Sequence, residues 1–261
     1  MTFIIIGIAA ILFLILERIP RIQFCSSSLF RRYFLTDIFY LLAGFIAGSS
    51  LALSYITTGS SLLKTYFGLS GLDSFNFPLW LLVIIALIAM DLGNYLAHYL
   101  LHRFNFLWEF HKIHHSIITL DWLATFRSHL LEQMFRRLIA PLLLILIGIP
   151  IKVVAIAGGV FTAWAIFNHS NIKVNLRFLE MIFITPKLHR LHHQYKTSQK
   201  NLGTIFTFWD RLRGSFCQKD IDREDLLGNG ETNYPQGWIN QFIEPLKQQL
   251  KINNPVPKLQ E

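Results

Sequence analysis

All ten histidines of the chain lie between His98 and His193, and eight of them fall into three tight groups. His98 and His102 stand one helical turn apart. His111, His114 and His115 follow at i, i+3, i+4, and the same spacing returns at His189, His192 and His193. On a helix these positions share one face, so each HxxHH group sends its imidazoles in one direction. Neutral imidazole is the commonest nitrogen ligand of transition metals. Eight clustered imidazoles exceed the four ligands of a tetrahedral zinc. They suit two metal ions, each held by several nitrogens and keeping an open position. Any fold for this chain must therefore bring sequence-distant segments to one point.

The rest of the chain restricts where that point can be. Of its 261 residues, 52% are hydrophobic and only 15% charged, with a mean hydropathy of +0.41. Soluble domains carry about 25% charged residues. The composition is that of an all-α, multi-pass integral membrane protein with one catalytic domain. The net charge of +8 is better matched by a membrane surface than by nucleic acid, given the apolar stretches. Cys25 and Cys217 form no disulfide framework and no CxxC motif. The first sixteen residues hold no Lys or Arg, and they read as a retained anchor helix.

A spanning helix needs about 20 mostly apolar residues. Residues 2–19, 34–57 (with Asp37 near its start) and 79–101 supply three spans. Residues 138–168 are apolar but broken by Gly148-Ile149-Pro150. The halves are short for full spans, so a re-entrant helical hairpin is expected. Residues 176–194 are expected to be helical and interfacial. The chain divides into membrane anchor helices (1–78), a catalytic region (79–215) and a polar tail (216–261) packed on the cytoplasmic face.

Arg18, Arg21, Arg31 and Arg32 follow the first span, whereas only Lys64 follows the second. The positive-inside rule puts the first linker in the cytoplasm. The third span then also ends there, and a hairpin returns the chain to the same side. A cytoplasmic, histidine-rich helical cap results; a single span over 138–168 would instead separate the histidine groups.

Asp91 lies seven residues before His98 inside an apolar span, where an ionisable group is expensive. It is expected to hold the outer nitrogen of a ligand histidine; the alternative is a buried Asp satisfied by a neighbouring helix. No ExxH pair of the ferritin-like carboxylate kind and no HExxH occurs.

The order Asp91-x3-Tyr95-x2-His98-x3-His102, then His111-x2-His114-His115-Ser116, resembles the fatty acid hydroxylase and sterol desaturase superfamily. So do Phe167-Asn168-His169-Ser170-Asn171, His189-Arg190-Leu191-His192-His193, and the closing Asn201-Leu202-Gly203 and Trp209-Asp210-Arg211-Leu212-Arg213-Gly214. The resemblance covers roughly residues 85–215. One departure is Tyr99, where the family often has Arg directly after the first histidine; Arg103 shares its helical face.

The resemblance implies a membrane-bound non-haem di-iron enzyme that uses O2 to hydroxylate or desaturate a C–H bond of a lipid. It carries over His98, His102, His111, His114, His115, His169, His189, His192 and His193 as metal ligands. The eight other than His169 are also assigned as catalytic. Iron comes from the resemblance; imidazole alone would equally admit zinc, copper or nickel. The tenth histidine, His129, stands in Arg127-x-His129-x-x-Glu132 and is open to a ligand, supporting or structural role. Trp209-Asp210-Arg211 is expected to lock the C-terminal segment through an Asp–Arg contact. Arg136, Arg137, Lys187 and Arg190 are placed at the headgroup level. With no GxGxxG fingerprint or CxxC redox site, electrons must come from an external reductase, ferredoxin or cytochrome. The competing readings are a metal-binding or transport protein, which needs polar residues along its spans, and a haem carrier, which needs only two axial histidines.

Overall fold

A computed structural model of the chain describes residues 1–68, 71, 72, 76–221 and 227–253. Ten α-helices account for the described architecture: α1 Thr2–Leu16, α2 Phe34–Phe67, α3 Leu79–Arg103, α4 Asn105–His115, α5 Leu130–Ile139, α6 Leu142–Ile147, α7 Ile151–His169, α8 Pro186–His192, α9 Phe208–Arg213 and α10 Trp238–Asn253. Among the described residues β-structure is limited to isolated bridges, such as Phe183 to Phe206. By length and composition, α3 and α7 are able to cross a bilayer. Helix α1 and the stretch Phe34–Phe45 are shorter apolar helices.

The bundle has a histidine end and a remote end. From Leu79 to His98 helix α3 rises about 30 Å at 1.5 Å per residue, one hydrocarbon thickness. Helices α5 and α6 run back along α2: Gln133 packs at Gly44, Ile145 at Gly59, and the Gly148 turn at Gly71. The Gly148 turn therefore lies at the remote end, beside the connection into α3. Gly148 closes α6 at φ +70°, the left-handed conformation that glycine adopts without a Cβ clash. A Cβ there would come within 2.5 Å of the Gly71 Cα. Pro150 then starts α7, which descends to His169. Helix α1 lies parallel to α7, with Thr2 Oγ1 donating to the Ala155 carbonyl and Phe13 against Phe167.

The expected hairpin is thus deeper than its sequence halves implied. Counted from α5, both its ends reach the histidine end, and its turn lies at the remote end of the bundle. The ascending limb is broken once more at Ala140–Pro141 between α5 and α6. There Gly93 lets α3 approach so closely that a Cβ would stand 2.5 Å from the Ala140 carbonyl oxygen. The remote half holds the apolar core, built by Ile56, Leu82, Ala86, Leu144, Val153 and Ala157 from four helices. Helix α2 continues to Phe67, beyond the expected residue 57, and stops at Gly68 in the left-handed region.

The expected helix over 176–194 is mostly not one. A short 3₁₀ turn, Leu179–Met181, precedes extended chain, and only Pro186–His192 is α-helical. Pro186 sits in the first turn, where its missing N–H costs nothing, and Thr185 caps it. At Phe104 the backbone turns extended and separates α3 from α4.

Candidate metal centre

Four elements deliver the histidines. His98 and His102 lie on the last turns of α3, His111, His114 and His115 on α4, and His169 ends α7. His189 and His192 lie on α8, and His193 closes it. They assemble into two groups, with the candidate donor nitrogens of each within 4.8 Å of one another. One holds His98, His102, His111, His115 and His192; the other holds His114, His169, His189 and His193. All nine are buried. Each HxxHH segment splits between the groups. On α4, His114 goes one way and His111 and His115 the other; on α8, His192 parts from His189 and His193.

The outer nitrogens are tied down. His98 Nδ1 donates to the Leu202 carbonyl at 2.8 Å, His192 Nδ1 to Lys200 at 2.9 Å, His114 Nδ1 to Arg127 at 3.0 Å and His169 Nδ1 to Ala165 at 2.8 Å. His111 Nδ1 lies 2.8 Å from Glu132 Oε1. An acceptor at Nδ1 fixes the proton there and leaves Nε2 as a bare lone pair. Those lone pairs point inward at each other: His98 Nε2 is 3.0 Å from His111 Nε2, and His169 Nε2 is 3.2 Å from His114 Nε2. No proton is left to join either pair, and a cation bound by both nitrogens would relieve the opposed lone pairs. Two nitrogens at right angles on a metal, each at about 2.1 Å, stand about 3.0 Å apart. His192 Nε2 and both ring nitrogens of His115 are buried without a hydrogen-bond partner. The residues present fit two nitrogen-bound metal ions.

Burial holds His111, His114, His115, His189 and His193 well below the usual histidine range, and His192 falls to about 3. The cause is desolvation first. The Arg136 charge adds to it at His111. These rings are neutral at physiological pH, the form that ligates metal.

Supporting residues divide differently from the sequence expectation. Asp91 touches no histidine. Its Oδ1 accepts from the Thr204 and Ile205 amides at 3.3 and 2.8 Å, and its Oδ2 from the Phe206 amide and Trp209 Nε1 at 3.1 and 2.9 Å. It fastens the 204–209 segment to α3, close to the alternative of a buried, satisfied Asp. Asp210 secures the adjoining chain by accepting from the Leu202 and Gly203 amides and from Ser215 Oγ, with the Arg213 charge nearby. It thereby steadies the Leu202 carbonyl that receives His98. Asn201, at φ +53°, bonds the Leu188 and Cys217 carbonyls.

The carboxylate at the histidines is Glu132, which sequence reasoning did not single out. It is 2% exposed and also pairs with Arg136 Nε at 2.9 Å. Arg136 reaches on to Asn94 Oδ1, and Asn94 to Thr204 Oγ1. The Arg127-x-His129-x-x-Glu132 segment was the available signal. His129 itself belongs to neither histidine group. Its Nδ1 caps α5 by accepting from the Leu131 amide, and its Nε2 donates to the Phe242 carbonyl on α10. Arg190 is not at a headgroup level: it is 1% exposed, bonded to the Leu120 carbonyl and Asn171 Oδ1, and stacked over Phe24. Lys187 pairs with Glu180. Glu109 pairs with Lys112. A buried network, Arg31 between Asp37 and Asp121 at 2.6 Å each with Arg127 on Asp37, anchors the residue whose carbonyl holds His114.

Comparison with known proteins adds an independent line. The family described as Fatty acid hydroxylase matches residues 83–215, the stretch that carries all nine clustered histidines. The chain is similar to the ornithine lipid hydroxylase OlsE of Rhizobium tropici, 33% identical over 173 residues, covering 65% of this chain and 52% of that protein. It is similar to the alkylglycerol monooxygenase of Danio rerio, 30% identical over 136 residues, covering 51% of this chain and 30% of that protein. The Homo sapiens alkylglycerol monooxygenase is 30% identical over 169 residues, covering 63% of this chain and 35% of that protein. The chain thus spans about half or less of the length of these curated relatives. No solved structure matches.

Proposed function

The chain belongs to the fatty acid hydroxylase family, and from that premise we propose that it is a membrane-bound, O2-dependent lipid hydroxylase with two irons held by its nine clustered histidines. The observation that carries this reading is the pair of buried histidine groups with opposed Nε2 lone pairs. Iron bound there would supply O2 activation, one oxygen atom entering a C–H bond and the other leaving as water, with two electrons from an external donor.

The chain's own residues prepare the site. Backbone carbonyls and Glu132 keep protons at Nδ1 and turn Nε2 inward. Burial keeps the imidazoles neutral and keeps bulk water from the oxidising centre. Trp108 lies over His102 and His115, with ring centroids 5.1 and 5.2 Å away.

The relatives' names point to membrane lipids bearing polar heads, and we assign the substrate to that class. It enters from the bilayer, and a separate reductase, ferredoxin or cytochrome supplies the electrons. The arginines after α1 support a cytoplasmic histidine end. The hairpin returns His169 to the end that holds His98, so one side serves all the clustered histidines. A transport reading finds little support: Asp91, the carboxylate within α3, is engaged by four hydrogen bonds to its own chain.

Metal analysis and optical spectroscopy of the detergent-purified chain test the proposal. Two irons per chain with no Soret band, and lipid extracts that gain an oxygen when the gene is expressed, are expected. Zinc alone, with no iron taken up under anaerobic loading, would overturn it.

A further inference from the structure

Helix α10 is amphipathic in the wrong sense for a helix covered by water. Trp238, Ile239, Phe242, Ile243, Leu246 and Leu250 are 40–64% exposed. At 100° per residue they fill one arc of about 140°. The opposite face is polar and turned inward. Gln241 is fully buried, donating to Ser116 Oγ at 3.1 Å and to the Pro235 carbonyl. Gln248 pairs with Glu244 on the same face, and Gln249, at the edge of the arc beside Trp238, donates to the Phe106 carbonyl at 3.1 Å. A helix of a soluble protein does the reverse, burying its apolar stripe and hydrating its glutamines.

The contacts fix where α10 lies. Gln241 meets Ser116 at the end of α4, and Gln249 meets Phe106 near its start, so α10 runs antiparallel along the helix that carries three of the clustered histidines. Its Trp238 ring stacks on Phe39 in the first turns of α2, with centroids 4.1 Å apart. His129 stacks on Phe242 and links it to α5. The exposed arc is therefore continuous with the outward apolar residues of α2 (Leu35, Leu42) and α5 (Leu131, Met134, Leu138). Asn240 and Lys247 border the arc on its Ile243 side.

We propose that α10 is an in-plane membrane helix: its apolar arc is seated in the acyl boundary of the cytoplasmic leaflet, and its polar face carries α4 and the histidine groups against the bilayer. This rests on the membrane reading above, but assigns a lipid-contacting role to a tail that composition alone marks as polar. The occupant is lipid, because the arc joins the exposed apolar residues of the apolar stretch Phe34–Phe45 and is bordered by a polar and a cationic side chain, as interfacial helices are.

The test uses the full chain in phosphatidylcholine nanodiscs. Cys25 and Cys217 are replaced by serine, and one cysteine is introduced as Ile243→Cys, Ile84→Cys (outward on α3) or Asn233→Cys (exposed before α10), then labelled with an environment-sensitive fluorophore. Acyl-chain spin-labelled lipid is expected to quench the label at 243 at least threefold more than aqueous iodide does, as at 84, with the reverse at 233. If iodide reaches 243 as it reaches 233, the helix faces water and the proposal falls. If neither quencher reaches 243, protein covers the face and the proposal also falls. Lipid quenching at 84 without quenching at 243 overturns the α10 assignment alone. Failure at 84 would overturn the membrane reading itself. Should the cysteine-free chain fail to bind metal, wild type and Trp238→Phe are compared with brominated lipid. Loss of a lipid-quenched tryptophan component supports the proposal, and identical quenching overturns it.

Discussion

Glu132 Oε1, on α5, lies 2.8 Å from Nδ1 of His111, on α4. No other carboxylate among the described residues hydrogen-bonds a clustered histidine. The contact makes the two groups unequal, because the five-histidine group has an anion behind one ligand while the other tied rings rest on neutral carbonyls. Carboxylate support raises ligand basicity, and its loss typically weakens metal binding 10–100-fold. Glu132→Gln should weaken one of two metal equivalents by about that factor and leave the other unchanged, read by anaerobic cobalt titration. Equal weakening of both equivalents, or of neither, would sink the idea.

The partition of each HxxHH segment gives a second test. His192→Ala removes a donor from the five-histidine group, and His193→Ala, its neighbour in sequence, removes one from the four-histidine group. Each should lower bound iron from two per chain toward one while far-UV circular dichroism keeps its helical signal. A His192→Ala, His193→Ala pair should hold almost none. Both single variants retaining two irons would refute the assignment of these rings as ligands.

Asp91 serves the fold. Four donors converge on it, three of them backbone amides of residues 204–206. Asp91→Ala would strand buried donors at about 1–3 kcal/mol each. The expected outcome is a melting midpoint well below wild type, with Asp91→Asn intermediate because its carbonyl oxygen still accepts. A midpoint within a degree of wild type for Asp91→Ala would contradict this role.

The contrast between Asp91 and Glu132 shows what the sequence could and could not disclose. Helical spacing gathered three imidazoles toward one side of α4, because side-chain direction on a helix is local, but the division of each HxxHH segment between two groups is set by packing. The break at Gly148-Ile149-Pro150 was equally local. Which carboxylate meets a histidine is a tertiary matter. Asp91 shares a helix with His98 and so drew the supporting role, yet the 204–209 segment folds over it first. Glu132 lies 21 residues from His111, and only the return of α5 beside α4 joins them. The depth of the hairpin was hidden for the same reason: limb lengths say nothing of where the turn packs, and the Gly71–Gly148 contact decides it. Helix 176–194 failed because its apolar residues serve extended chain bridged to 205–206, where ladder bonds replace helical ones.

Acid should unfold the metal-free protein. His192 sits at about 3, and the other rings on α4 and α8 lie well below 6.5. In the folded chain they stay neutral; in the unfolded chain each takes a proton below about pH 6.5. The unfolded state therefore binds more protons, and stability falls as pH drops from about 6.5 toward 3. One such ring contributes about 2 kcal/mol of loss between pH 6.5 and 5. Several acting together should move the melting midpoint down steeply over that interval and little between pH 7 and 8. Bound metal should shift the whole curve upward and lose that advantage over the same acid range, since ligation needs the unprotonated ring. Melting curves of metal-free and metal-loaded protein at half-unit pH steps check both parts. A midpoint independent of pH between 7 and 5 would mean the rings are hydrated and titrate freely in the folded state.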